Sequence, residues 1–246
     1  MKFIQSVQRA FSILEYILLN NGAGISDLSR KFNLNKSTVF SIVKTLEQLG
    51  YVYQCNSLNS YLPTYRIHSI ATSCTTENSI VAFAHPYIYQ LSKKYGETVH
   101  FVNGREHSVV YVDKVESDKN IRYHTDLGSE MPLHCTGVGK AILAWRSEAE
   151  INEYIDAGLV ALTEKTITDP ETLHEVIHKI RKNGYSIDDE ENSEGLFCIG
   201  VPIFNKSGAV VHSISISLPK YRLSEINIDE AVSDLKRTAA EIMKFY

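Results

Sequence analysis

The 246-residue chain is poor in cysteine, with four, in proline, with six, and in tryptophan, with one. Cys55, Cys74, Cys135 and Cys198 are scattered and form no C-x-x-C pair. That argues against a zinc ribbon or a disulfide framework and for a reduced, cytoplasmic setting. No apolar run approaches the roughly 20 residues of a membrane-spanning helix. Met1-Lys2 leads directly into an amphipathic stretch, without the apolar region of a signal peptide. The G-x-S-x-G elbow and the H-E-x-x-H zinc motif are both missing, so no enzyme is expected. His134-Cys135 could suggest a Cys/His pair, and with His100 and Cys198 a metal site. Adjacent residues rarely face each other, and no ligand spacing supports the site, so neither metal nor cofactor is expected. What is present, 43% hydrophobic residues and a net charge of −4, suits one large or two small folded domains.

The richest stretch is GISDLSRKFNLNKSTVFSIVKTLEQLGYVY, residues 24–53. Ser26 is placed to cap a short helix with apolar positions Leu28 and Phe32. Asn33, Leu34 and Asn35 make a turn, and asparagine tolerates the left-handed conformation such turns need. A second helix is expected from about Lys36 to Leu49, with Val39, Ile42, Val43, Leu46 and Leu49 on one buried face. Lys36, Ser37, Thr38, Phe40, Ser41 and Lys44 fall off that face, where lysines and short hydroxyl side chains suit phosphate and base-edge contact. Tyr51, Val52 and Tyr53 then open a hairpin, or wing. The pattern is that of a winged helix-turn-helix; the bland alternative is an ordinary packed helical hairpin.

Charge separates the chain into two parts. Residues 1–75 hold seven Lys/Arg against three Asp/Glu, a balance of +4. The remainder holds 18 basic and 26 acidic residues, a balance of −8. A basic head on an acidic body fits a DNA reader with a separate control domain.

Along the rest of the chain, a first helix is expected from Ser6 to Asn20, with Val7, Ala10, Phe11, Leu14, Ile17 and Leu18 buried. The wing tip falls at Asn56-Ser57-Leu58-Asn59-Ser60. Residues 69–79 are small and polar and read as a boundary. A helix follows from about Ser79 to Tyr95, with Pro86 predicting a kink or break near His85. Strands are expected at Thr98–Val102, Ser108–Val115, Ile121–Thr125, Phe197–Phe204 and Ala209–Leu218, the last two joined by an Asn205-Lys206-Ser207-Gly208 turn. Helices are expected at Gly137–Trp145, Glu148–Ala157 and Pro170–Lys182, with capping boxes at Ser147/Glu150 and Thr168/Glu171, and a final helix ending near Lys244. Strands at both ends with helices between them predict an α+β domain, an antiparallel sheet flanked by helices.

The segments SVQRAFSILEYI, LNKSTVFSIVKTLEQLGYV, MPLHCTGVGKAILA and NGYSIDDEENSEGLFCIGVPIFNKSGAVVHSISIS, in this order and spacing, resemble the IclR family of bacterial transcription regulators along essentially the whole chain. The resemblance implies a winged helix-turn-helix domain over 1–68, a boundary and linker helix over 69–95, and a GAF-like effector-binding domain over 96–246. It also implies a homodimer or homotetramer on double-stranded DNA with a palindromic operator. The sign of control would be repression, the more common family mode. Family recognition helices often carry arginine near Ser41, and the wing often carries glycines where this chain has Asn59 and Thr64. These departures bear on the operator sequence rather than on DNA binding.

Two stretches of the second domain read as ligand contacts. Thr136-Gly137-Val138-Gly139-Lys140 opens a helix whose free N–H groups attract carboxylate or phosphate, or else is a small-residue turn for close packing. It is not a Walker A loop, since residue 134 is His and Ala141 stands at the Ser/Thr position. Ser213, Ser215 and Ser217 alternate with Ile214, Ile216 and Leu218, which puts the hydroxyls on one face of a strand. By pattern alone such a stripe is a solvated face; in the implied GAF-like fold it lines a cavity. By similarity the effector-binding positions fall on Gly137, Val138, Asp188, Cys198, Ser215 and Ser217. Backbone donors and serines suit a small organic acid, with Asp188 accepting from a hydroxyl or amine. The alternative is a GAF-type sensor acting through protein contacts without DNA binding, and a steep salt dependence of DNA binding separates the two.

Overall fold

The computed structural model describes residues 4–55, 57–74 and 79–246, the side chains of 72–74 excepted. The wing-tip residue Asn56 and part of the expected boundary, 75–78, lie outside the described residues. The chain divides into two compact units between Thr76 and Glu77.

The first unit contains α1 (Gln5–Leu19), α2 (Ile25–Phe32), α3 (Lys36–Gln48), an antiparallel hairpin of β1 (Val52–Cys55) and β2 (Ser60–Pro63), and α4 (Arg66–Cys74). Ile13, Leu14, Ile17, Leu28, Val39, Val43, Leu46, Val52 and Tyr61 form its core. Each such aliphatic side chain contributes about 1.5–3 kcal/mol by leaving water. Four expectations are corrected. The buried face of α1 centres on Ile13, Leu14 and Ile17, while Val7 and Phe11 are 49% and 60% exposed. The expected stripe mixed two faces: Val7, Ala10 and Phe11 line a surface groove with Leu49, Ile67 and Ile70. Leu49, expected to be buried, is also exposed. Ser26 is no cap, because α2 starts earlier with Gly24 at the cap position and no side-chain bond. The turn into α3 is as expected, with Asn33 left-handed at φ 50° and Ser29 Oγ donating to the Leu34 carbonyl at 2.6 Å. The stretch taken as a boundary is helical up to Cys74, the end of α4.

The second unit contains α5 (Ile80–Tyr95), β3 (Thr98–Gly104), β4 (Ser108–Val115), β5 (Glu130–Pro132), α6 (Gly137–Leu143), α7 (Glu148–Asp156), α8 (Pro170–Asn183), β6 (Ser186–Asp189), β7 (Leu196–Phe204), β8 (Val210–Pro219) and α9 (Ile228–Met243). The strands form one antiparallel sheet in the order β5-β4-β3-β8-β7-β6. One face carries Val99, Phe101, Ile199, Val201, Ile214, Ile216 and Leu218 and packs on Ala84, Ile88 and Leu91 of α5 and Leu235, Ala239 and Ile242 of α9. On the other side Val102, Val109 and Tyr111 join α6, α7 and α8. Helices on both faces explain why even the serines of β8 are buried.

Pro86 neither breaks α5 nor enters the core; it is exposed, and the helix runs on to Gly96, left-handed at φ 65°. Only the one bond that a proline cannot donate is lost. Ser147 and Glu150 form the expected capping box, but α8 is capped by Asp169, whose carboxylate accepts from Thr172 N, rather than by Thr168. Ile121–Thr125 is not a strand, since the outer edge of β4 is taken by β5, with Ser108 opposite Pro132. The short polar β6 was not foreseen.

Candidate functional site

In the first unit the six expected DNA-contact residues all lie on α3 away from its core face, which is Val39, Val43 and Leu46. Lys36, Ser37, Phe40 and Ser41 are exposed, and Thr38 and Lys44 are half-buried. Lys36 starts the helix without an ionic partner among the described residues. Lys44 is tied down: its ammonium donates to Glu47 at 2.7 Å and lies 5.7 Å from the centres of the Phe40 and Tyr61 rings. The Glu47 carboxylate in turn accepts from the backbone N–H of Gln54, joining α3 to the wing. The Lys44 bond holds Glu47 below the usual carboxylate range. Ser41 Oγ is turned back to the Ser37 carbonyl at 3.0 Å.

In the second unit Gly137, Val138, Asp188, Cys198, Ser215 and Ser217 line one cavity, although they come from α6, β6, β7 and β8. Strand register explains part of this: Asp188 pairs with Cys198, and Cys198 with Ser217. His100, Tyr111, Tyr123, Thr136, Asn192 and Leu196 complete the walls. The free space is about 10 Å³, room for about one water.

The walls are polar and mostly paired. His100 sits between Ser217 Oγ at 3.1 Å and Thr125 Oγ1 at 3.0 Å. Burial, reinforced by Lys114, pushes its pKa down to about 3, so it is neutral. One oxygen of Asp188 accepts from the N–H groups of Glu191 at 2.8 Å and Asn192 at 3.3 Å. Its other oxygen, Oδ2, has no partner among the described residues although the side chain is buried. Burial raises the Asp188 carboxyl to about 7, against the pull of Lys140. Burial likewise pushes the Cys135 thiol up to about 12 and Cys198 well above its ordinary value, so neither is a thiolate nucleophile. His134 is held by Tyr154 and the Val160 carbonyl. Among the described residues no three His, Cys, Asp or Glu side chains are grouped as metal ligands.

The glycines of α6 serve close packing. A Cβ on Gly139 would lie 2.6 Å from the Leu133 carbonyl oxygen, and one on Gly200 of β7 would lie 2.5 Å from that of Gly137. Thr136 Oγ1 caps the helix by accepting from Gly139 N at 3.0 Å. The N–H groups of Gly137 and Val138 have no acceptor among the described residues. Tyr123 and Asn192 were missed from sequence because they sit in irregular segments, where no periodicity marks a facing direction. Their only signal was an aromatic and an amide near charged neighbours.

A family profile described as "IclR helix-turn-helix domain" matches residues 6–55, and one described as "Bacterial transcriptional regulator IclR C-terminal" matches residues 72–244. The chain is 34% identical over 240 residues to the HTH-type transcriptional regulator KdgR of Escherichia coli K12, covering 97% of this chain and 91% of that protein. It is 30% identical over 247 residues to the transcriptional repressor IclR of the same organism, covering 99% and 90%. The crystal structure of the Thermotoga maritima IclR aligns with a TM-score of 0.87 at 34% identity, over 98% of both chains. These relatives are transcription regulators rather than enzymes. With both profiles matched in the expected order, this chain belongs to the IclR family and is a DNA-binding transcription regulator.

Proposed function

We propose that this regulator is a repressor whose operator binding is controlled by a small organic acid, of the hydroxy- or keto-acid kind. The observation that carries the reading is the convergence of Gly137, Val138, Asp188, Cys198, Ser215 and Ser217 on one buried cavity with an unpartnered Asp188 oxygen. The open N–H groups of Gly137 and Val138 and the hydroxyls of Ser215 and Ser217 are donors for a carboxylate. The free Asp188 oxygen accepts from the hydroxyl of a hydroxy acid and, when protonated, donates to a keto oxygen. Repression is supported by the naming of the Escherichia coli IclR relative as a repressor.

In this reading residues 1–68 bind DNA, 69–95 contain the linker helix, and 96–246 bind the effector. Lys36, Ser37, Thr38, Phe40, Ser41 and Lys44 meet a palindromic operator in the major groove. A homodimer or homotetramer, in the cytoplasm, supplies one recognition helix per half-site. The effector favours one arrangement of the coupled domains and so changes operator affinity.

The experiment is a gel shift on DNA from upstream of the chain's own gene and its neighbours, across a salt series, with and without a panel of organic acids. The expected outcome is a specific shift with a steep salt slope that one acid abolishes. A specific shift that no acid alters, together with no thermal stabilisation by any acid, rejects the effector class. A shift that an acid strengthens rejects simple release of a repressor.

A further inference from the structure

The cavity has little free space, and its walls are not equally fixed. His100, Tyr111, Cys198, Ser215 and Ser217 stand in the central strands, each bonded on both sides in the sheet. Tyr123 comes from the connection 116–129 between β4 and β5, where residues 121–125 make no backbone–backbone bond among the described residues. That strap is held by side chains. The Tyr123 hydroxyl accepts from Asn192 Nδ2 at 3.0 Å, Thr125 Oγ1 bonds His100 Nε2 at 3.0 Å, and the Lys114 ammonium donates to the Thr125 carbonyl.

The strap's other tether leads to α5. Arg222 donates from Nη2 to the Ile121 carbonyl at 3.0 Å and grips both oxygens of Glu97, at 2.6 and 2.7 Å. Glu97 follows directly on the end of α5, and its carbonyl accepts from Ser92 Oγ in the last turn at 2.9 Å. Ser117 Oγ donates to the Gly96 carbonyl at 2.7 Å. The same segment that closes the cavity is therefore bonded to the C-terminal turn of α5, through the buried bidentate Arg222–Glu97 pair and directly through Ser117 to Gly96, Lys119 to Glu97 and Asp118 to Lys93.

We propose that Tyr123 is a built-in occupant of the effector cavity, and that an acid displacing it moves the strap 116–129 and, through Arg222 and Glu97, the end of α5. This rests on the effector reading above and adds the moving part and its route. Any organic acid exceeds the room for about one water, so a wall must yield. The strap yields at the loss of a few side-chain bonds, whereas a strand would yield only with its ladder. Tyr123 thereby becomes a residue that selects among effectors, because its phenol and the acid compete for one space.

The test is hydrogen–deuterium exchange on the full chain, as wild type, Tyr123→Phe, Arg222→Lys and the double variant. Tyr123→Phe keeps the ring and removes only the bond to Asn192, so the fold is preserved. Exchange of the strap amides that donate hydrogen bonds, those of Ser117, Lys119, Gly128 and Ser129, is expected to rise about five- to tenfold, the effect of one lost hydrogen bond. Exchange over 93–97 is expected to rise in step, and that second response is expected to shrink in the Arg222→Lys background, with the Ser117, Asp118 and Lys119 contacts carrying the remainder. An unchanged strap in Tyr123→Phe overturns the occupant, and a response over 93–97 that is undiminished in the Arg222→Lys background overturns the route. Acetate, glyoxylate, pyruvate and benzoate are then added to the wild type. An acid that stabilises the protein is expected to speed exchange of those strap amides; if it slows them instead, displacement is wrong. If none of the four stabilises the protein, the acid reading loses its support while the variant comparison still decides the strap.

Discussion

The ammonium of Lys140 is bonded to one carboxylate oxygen of Glu191, and the lysine side chain is only 1% exposed. The pair links α6, whose first residues line the cavity, to the turn after β6 that holds Asp188. Breaking a buried pair from one side leaves an uncompensated charge. Lys140→Met is expected to destabilise the protein by about 3–5 kcal/mol in urea unfolding. Adding Glu191→Leu is expected to recover most of that loss, and a double variant as unstable as the single one would show that the pair acts through packing alone.

Asp188 gives the stability a pH dependence of known sign. Its folded pKa, about 7, lies above its ordinary value of 3.8, so between those values the folded state binds the extra proton. Stability associated with this group is therefore present below pH 3.8 and is lost as pH rises through about 7. The full swing is on the order of 4 kcal/mol, since each tenfold change in proton affinity is worth about 1.36 kcal/mol. Asp188→Asn is expected to remove that slope, so the variant gains on the wild type from pH 4 to pH 8 in paired denaturation curves. Parallel curves would mean that Asp188 is ionised in the folded protein throughout.

Gly200→Ala tests the packing of α6 on β7. Its Cβ would meet the backbone of Gly137 at 2.5 Å, and backbone cannot swing aside as a flexible side chain can. A loss of about 3 kcal/mol or more is expected in thermal unfolding. Gly208→Ala, with nothing within 4 Å but a left-handed φ of 81°, is expected to cost only about 1 kcal/mol, from backbone strain alone.

On DNA, the two lysines of α3 are expected to behave differently. Lys36→Ala should weaken binding to all sequences alike and reduce the salt slope by about 1. Lys44 is already neutralised by Glu47, so Lys44→Ala should change the slope less. Glu47→Gln should release Lys44 and steepen the slope by about 0.9. Filter binding across a salt series measures all three, and equal effects of the two alanine variants would contradict the ion pair's role.

Periodic elements were legible in the sequence, and contacts across irregular segments were not. Ser213, Ser215 and Ser217 alternate with isoleucine and leucine, so their common face could be read, and the cavity lies on it. Which of two faces α1 would bury could not be read, because Phe11 and Ile13 are equally apolar and only tertiary packing distinguishes them. Ser26 had the right chemistry for a cap but sits inside a helix that starts earlier. Ile121–Thr125 has strand composition, yet the adjoining edge of β4 is taken by β5, and Tyr123 of this segment lines the cavity instead. Composition describes what a segment could do; the strands and helices it meets decide what it does.

The closed cavity has a consequence for sensitivity. When the binding-competent form is only a fraction of the molecules, the apparent dissociation constant is the intrinsic one divided by that fraction. The concentration at which such a regulator responds is then set by how tightly Tyr123 and Thr125 are fastened, as well as by the residues that touch the ligand. On the effector reading proposed above, substitutions at Thr125, which is not among the cavity walls, retune that set point while leaving the proposed contacts Gly137, Ser215 and Ser217 untouched.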